Sequence, residues 1–296
     1  MSTAGAMPAA LAGCALAALA LCASAPATTY EAFSDPQPVT IAGYSGGAME
    51  PFISADGRYL LFNTPNTPPS VPALQVAVRT TGQAFEYVGQ LAGANEAGVL
   101  SGTPTMDLQG NLYFVSPRSY PQTLSTIYTG AFSGGSLTAP SLVPGVSGGV
   151  PGVVDFDVEA SPDGATLYVS VGRFGTGSAP TSSSIAMFDR VANGFQADPH
   201  GPALLKAVNR LEKLDYAASI SASGLELFFT RASPTRGRPA IYRAVRTQLS
   251  RPFGRVQRVG AITGFAEAPS LSADGRTLYY HELVSSQFRI QSVTRP

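Results

Sequence analysis

The sequence predicts an all-β fold, a five-bladed β-propeller of four-stranded blades. Three observations carry that prediction. One hairpin motif recurs five times; its copies lie 51 to 60 residues apart; and each copy is followed by further strand-like segments before the next begins. A unit of that length cannot bury its own apolar face, so copies must pack on one another.

The first copy is Glu50–Asn63, a short strand, a Ser-x-Asp-Gly turn and an apolar run. Aligned on its glycine, Gly57, the motif returns at Gly110, Gly164, Gly224 and Gly275. Asp-Gly between two apolar runs is a strong hairpin signal, because glycine accepts the positive φ of the turn. Gln109 and Ser223 replace the Asp in the second and fourth copies. Since the glycine stays, the turn is expected to survive there and lose only a side-chain hydrogen bond.

The apolar stretch Met7–Ala25 ends in small residues, with Ala23-Ser24-Ala25 and Ala25-Pro26-Ala27 as A-x-A cleavage sites, and reads as a secretory signal peptide over residues 1–27. Cys14 in Leu11-Ala12-Gly13-Cys14, and Cys22, leave a lipoprotein signal open, and the stretch is also long enough for a retained anchor. Each alternative exports the body to the periplasm or the extracellular space. If the leader is cleaved, the mature chain carries no transmembrane span. Residues 28–36 are expected to be a linker, and 37–296 a single propeller domain.

Blades are expected over about 50–93, 103–146, 155–206, 215–262 and 267–295. Third strands are read at Ala73–Arg79, Thr126–Phe132, Ser184–Arg190, Ala240–Arg246 and Phe288–Arg295. The fifth blade lacks a fourth strand, whereas Gln37–Tyr44 precedes the first blade and has fourth-strand character. That N-terminal strand is expected to complete the last blade and hide two sheet edges.

Charge and cysteine content narrow the function classes. Nineteen basic and nineteen acidic residues cancel, which argues against nucleic acid as a partner. Both cysteines lie in the leader, so the body has no disulfide and no Cys-ligated metal. Seventeen of the nineteen cations are Arg, a bias read as compositional. The only histidines, His200 and His281, would have to serve any Ser/His/Asp set.

Ser161-Pro-Asp-Gly-Ala-Thr-Leu-Tyr-Val169 and its four relatives resemble the WD-repeat-like motif of TolB-type propellers, across residues 37–296. The same motif occurs in the propellers of prolyl-oligopeptidase relatives, whose catalytic triad sits on an α/β-hydrolase domain absent from this chain. The TolB resemblance implies an exported monomer that acts as a non-catalytic interaction module in the cell envelope.

The residues that vary between copies are the candidate site. In propellers the first strand of each blade lines the channel. Glu50, Asp155, Asp157, Asp215 and Glu267 lie near the starts of four first strands, and Thr103 stands in the second. Such a ring would bind a protein, peptide or glycan at one propeller face, or a cation such as calcium through oxygen ligands. Alternatively, a pair would serve as acid and base on a sugar, which makes a secreted glycoside hydrolase the competing reading.

Overall fold

The computed structural model describes Met1 and residues 31–296 apart from 68, 178, 236 and 237. The expected leader, with Cys14 and Cys22, lies outside the described residues. The described chain is all-β, with two single-turn helices. It begins with β1 (Ser34–Pro38) and β2 (Thr40–Ala42), then forms β3 (Met49–Ile53), β4 (Tyr59–Asn63), β5 (Leu74–Thr81) and β6 (Ala84–Gln90). A second unit holds β7 (Gly102–Met106), β8 (Asn111–Val115), helix α1 (Tyr120–Thr123), β9 (Ile127–Ser133) and β10 (Ser136–Leu142). The third comprises β11 (Val153–Ala160), β12 (Thr166–Phe174), β13 (Pro180–Val191) and β14 (Gly194–Ala197), followed by helix α2 (Gly201–Leu204). The fourth comprises β15 (Leu214–Ile220), β16 (Glu226–Ala232), β17 (Ala240–Val245) and β18 (Gly254–Arg258). Last come β19 (Ala266–Leu271), β20 (Thr277–Val284) and β21 (Gln287–Thr294).

Within each unit the strands pair antiparallel in sequence order, and the third and fourth units join in one sheet through a parallel bridge at Ser183 and Leu214. The first strands of successive units touch in order, β3 with β7, β7 with β11, β11 with β15, β15 with β19, and β19 lies against β3. Five apolar clusters fill the spaces between neighbouring units. One joins Leu61 and Val76 to Leu112 and Phe114; another joins Tyr279 and Ile290 of the last unit to Ile53, Leu60 and Phe62 of the first. Each fully buried large side chain contributes about 1.5–3 kcal/mol.

The N-terminal strand differs in position from its expected span. β1 (Ser34–Pro38) pairs with β21, while Thr40–Ala42 runs parallel to β6 of the first unit. Of the expected Gln37–Tyr44, Gln37 and Pro38 pair with the last sheet and the Val39 N–H donates to the Ile290 carbonyl at 3.0 Å. Pro36 and Pro38 are tolerated because β1 is an edge strand, where a missing N–H breaks no ladder. Phe33, just before it, packs edge-on against Phe228 at 5.7 Å and anchors the segment.

All five turn glycines have φ between 68° and 81°. In the first copy Ser54 Oγ donates to Asp56 Oδ1 at 2.5 Å, and Asp56 Oδ1 accepts the Arg58 N–H at 3.0 Å. The second copy does more than lose a side chain. Its hairpin is one residue shorter, and Asp107 accepts from the N–H groups of Gln109 and Asn111 at 3.0 and 2.9 Å.

Four of the seventeen arginines share one structural role. Arg79 and Arg190 lie near the ends of third strands and Arg246 and Arg295 just after them, and each Nε donates to the turn-glycine carbonyl of its own unit at 2.5–2.7 Å. Each guanidinium lies over an aromatic ring, Phe85, Phe195, Phe253 and Phe33 respectively, at 4.3–4.6 Å. The far end of the fork then reaches the preceding unit: Arg79 to the Tyr279 hydroxyl at 2.8 Å, Arg190 to that of Tyr113 at 2.6 Å, and Arg295 to both oxygens of Glu226. Lysine has no planar fork and could not make this three-way contact. Arg79→Lys is therefore expected to lower stability by about 1–2 kcal/mol in urea denaturation, with Arg58→Lys near neutral.

Candidate functional site

The channel geometry starts from a defect shared by the first strands. Register breaks fall between Met49 and Phe52, Gly102 and Thr105, Asp155 and Asp157, Tyr216 and Ser219, and Glu267 and Ser270. At four of them a non-glycine residue turns left-handed: Glu50, Thr103, Ala217 and Ala268, with φ of 49–53°. That conformation is uncommon and needs support from its surroundings. Here the N–H of each such residue is captured by a second-strand side chain of the neighbouring unit. Thr103 N–H donates to Asn63 Oδ1 at 3.1 Å, Ala217 N–H to Ser170 Oγ at 3.0 Å, and Ala268 N–H to Thr230 Oγ1 at 2.9 Å. Glu50 N–H donates to His281 Nδ1 at 3.0 Å.

His281 is thus the member of this acceptor set that belongs to the last unit. Because Nδ1 accepts, the ring proton sits on Nε2, which faces Glu267 Oε2 at 3.3 Å. The other oxygen, Glu267 Oε1, accepts from the Tyr216 hydroxyl. One step deeper a second set repeats the device: Ser270, Thr105, Glu159 and Ser219 accept the N–H groups of Ile53, Ala160, Ile220 and Leu271 at 3.0–3.2 Å. Neither set was legible from composition. The signal was the alignment itself, in which Asn63, Ser170, Thr230 and His281 occupy one offset from the turn glycine.

The structure divides the candidate residues. Glu50, Thr103 and Asp157 line one space of about 20 Å³ together with Glu159 and Ser270, and its other walls are Pro, Ala, Phe52 and Val158. Glu267 acts on Glu50 through its charge. Asp155 and Asp215 sit one bulge away and do not line that space. Asp215, 0% exposed, pairs with Arg231 Nε at 2.6 Å and accepts the Arg210 N–H at 2.9 Å. Asp155 holds the matching place in the third unit, but Val171 stands opposite it where Arg231 stands opposite Asp215. Both Asp155 oxygens lack a hydrogen-bond partner.

Burial dominates the electrostatics. It pushes Glu50 up, and Glu267 adds to this against His281, Asn63 and the Thr103 backbone. Asp157 is raised well above the carboxylate range by burial, then by Glu50 and Glu159. Glu159 rises to about 7 by burial although Thr105 and Ile220 donate to it. Glu267 goes the other way: burial raises it, but the hydrogen bonds from His281 and Tyr216 prevail and hold it low. Among the described residues no three His, Cys, Asp or Glu side chains are placed to hold a metal ion.

Two segments, Gly43-Tyr-Ser-Gly-Gly47 and Gly145-Val-Ser-Gly-Gly149, match the spacing of a nucleophile elbow. Neither leads from a strand into a helix, and Ser147 Oγ donates to the Leu124 carbonyl at 2.9 Å. His281 is already engaged at both nitrogens. A larger cavity, about 320 Å³, lies on the face where the first strands begin. Its lining includes Arg173, Arg210, Lys213, Ser182 and Ser184 and contains no carboxylate or histidine.

No protein-family model matches the chain, and no curated protein matches it in sequence. Solved structures do match in fold. BT0996 in its RGII complex has a TM-score of 0.60 at 11% identity, covering 89% of this chain and 93% of that one. Zg3597, a family 117 glycoside hydrolase from Zobellia galactanivorans, has a TM-score of 0.52 at 11% identity, covering 90% of each. A putative TolB from Agrobacterium tumefaciens has a TM-score of 0.50 at 13% identity, covering 87% of this chain and 78% of that one. These three place the described chain among propeller-like all-β folds. The match to TolB from Acinetobacter baumannii spans only 53% of that protein.

Proposed function

We propose that the chain is an exported five-bladed propeller, sealed by its N-terminal strand, that works as a non-catalytic binding module in the cell envelope or extracellular space. Its ligand is a protein, peptide or glycan held at the face where the first strands begin. One observation carries the reading: the acids and the ligand-sized space are in different places. The channel carboxylates surround room for about one water, while the 320 Å³ cavity is within the range of ligand sites and offers cations, hydroxyls and an amide beside Val153, Val171 and Leu211. The touching sequence of first strands, which brings β19 back to β3, supports the closed five-bladed ring. Export rests on the leader. Among the described residues no helix is long and apolar enough to cross a membrane.

The competing glycoside hydrolase reading draws on Glu50 and Asp157 sharing one space with Glu267 nearby, and on the fold likeness to Zg3597. The decisive measurement is reducing-end release across a panel of bacterial and plant glycans. None is expected. Release that disappears in Asp157→Asn would establish the hydrolase instead. For the binding reading, Arg173→Glu with Arg210→Glu is expected to weaken capture of an envelope ligand by about tenfold or more; unchanged capture would overturn the cavity's role.

A further inference from the structure

We propose that the central channel takes one protonated primary amine, held by Glu50, Asp157 and the hydroxyl of Thr103. The inference rests on the binding reading above and adds a second, small site, separate from the 320 Å³ cavity. Thr103 is 9% exposed, yet its Oγ1 has no hydrogen-bond partner. Its N–H is held by Asn63, and the orphan hydroxyl is left to serve whatever enters the space it lines.

The chemistry of the lining selects the guest. Glu50, Asp157 and the Thr103 hydroxyl present acceptors; Glu159 and Ser270, which also line the space, already accept from Thr105, Ile220 and Ile53, and the other side chains of the wall are apolar. An ammonium group has three donors, no acceptor and a positive charge, and it fills about the volume of one water. A chelated metal suits the site less, since among the described residues no three acidic or imidazole side chains are placed to hold one. A neutral sugar hydroxyl brings no charge to offset these carboxylates as they ionise. The apolar walls suit the methylene or methyl group that carries the amine.

Binding should be linked to protons. Glu50 and Asp157 face Glu159, Glu267 and Tyr216, with the His281 ring behind the Glu50 backbone. Burial and mutual repulsion favour their protonated forms in the empty channel, so entry of a cation releases protons. Uptake therefore strengthens as pH rises, up to the titration of the amine itself.

The test is calorimetric titration of the purified protein with methylammonium in an amine-free buffer at pH 8 and pH 5. Saturable binding is expected at pH 8, about tenfold or more tighter than at pH 5, with proton release seen as a dependence on buffer ionisation enthalpy. Asp157→Asn and the near-isosteric Thr103→Val should each weaken it about tenfold or more, whereas Glu86→Gln, in β6, should not. Nα-acetyl-lysine amide and alanine amide then tell a lysine side chain from a chain terminus as the source. Absence of saturable binding, equal binding of tetramethylammonium or potassium, or full binding by Asp157→Asn would overturn the inference. Envelope-ligand capture that persists in such a case would leave the binding function standing and remove only its amine site.

Discussion

Arg231→Met is expected to lower the unfolding free energy by about 3–5 kcal/mol, measured by urea denaturation at pH 7. Asp215 is 0% exposed, and Arg231 supplies its charge partner at 2.6 Å while also donating to the Val208 carbonyl. Removing the guanidinium strands a carboxylate where water cannot reach it. Burial pushes Asp215 up even with Arg231 in place, so desolvation already exceeds the attraction between the two. It follows that the double variant Asp215→Leu with Arg231→Met should recover most of the loss. A double variant as unstable as Arg231→Met alone would show that the guanidinium's packing on Phe229 and Tyr242, not its charge, is what matters.

The same position in the third unit gives the opposite expectation. Asp155→Asn should stabilise the protein by about 2–4 kcal/mol at pH 8 and change little at pH 4. Asp155 is 1% exposed with neither oxygen partnered, and burial raises it from 3.8 to about 7. The sign follows from linkage: a folded-state value above the unfolded one gives stability that is complete below about pH 3.8 and is lost as pH rises through about 7. Asparagine removes that loss, so its stability curve should flatten across the window. Glu159, also raised to about 7, keeps part of the slope in both proteins. Val171→Arg, which copies the Arg231 arrangement, should bring Asp155 down toward the ordinary range. An unchanged pH profile in Asp155→Asn would refute the account.

The hairpins were readable because a two-residue turn signal needs only local chemistry. The glycine fixes the φ, and the apolar runs on each side fix the strands. The inter-unit devices were harder, because each joins residues about one repeat apart or at opposite ends of the chain. The arginines near or just after the ends of third strands were visible in the alignment, but their meaning depended on a carbonyl, a ring and a hydroxyl from three other segments. Likewise the candidate acids looked equivalent in sequence, since each stands within a few residues of a strand start. A single bulge separates their directions, and no side-chain pattern announces a bulge made at Glu50, Thr103 or Ala268. Asp155 and Asp215 were sorted from the channel by that backbone feature alone.

The pairing of β1 with β21 sets a condition on when this protein becomes itself. Ser34 meets Thr294 across almost the whole described chain, so the last sheet cannot be finished until nearly every residue is available. Contacts so distant in sequence make for slow folding, because the loop entropy must be overcome before they form. During synthesis, and through any passage across a membrane, the earlier units must wait with one edge open and one apolar flank uncovered. The order of events in time, and not only the final geometry, is therefore written at the two ends of the chain.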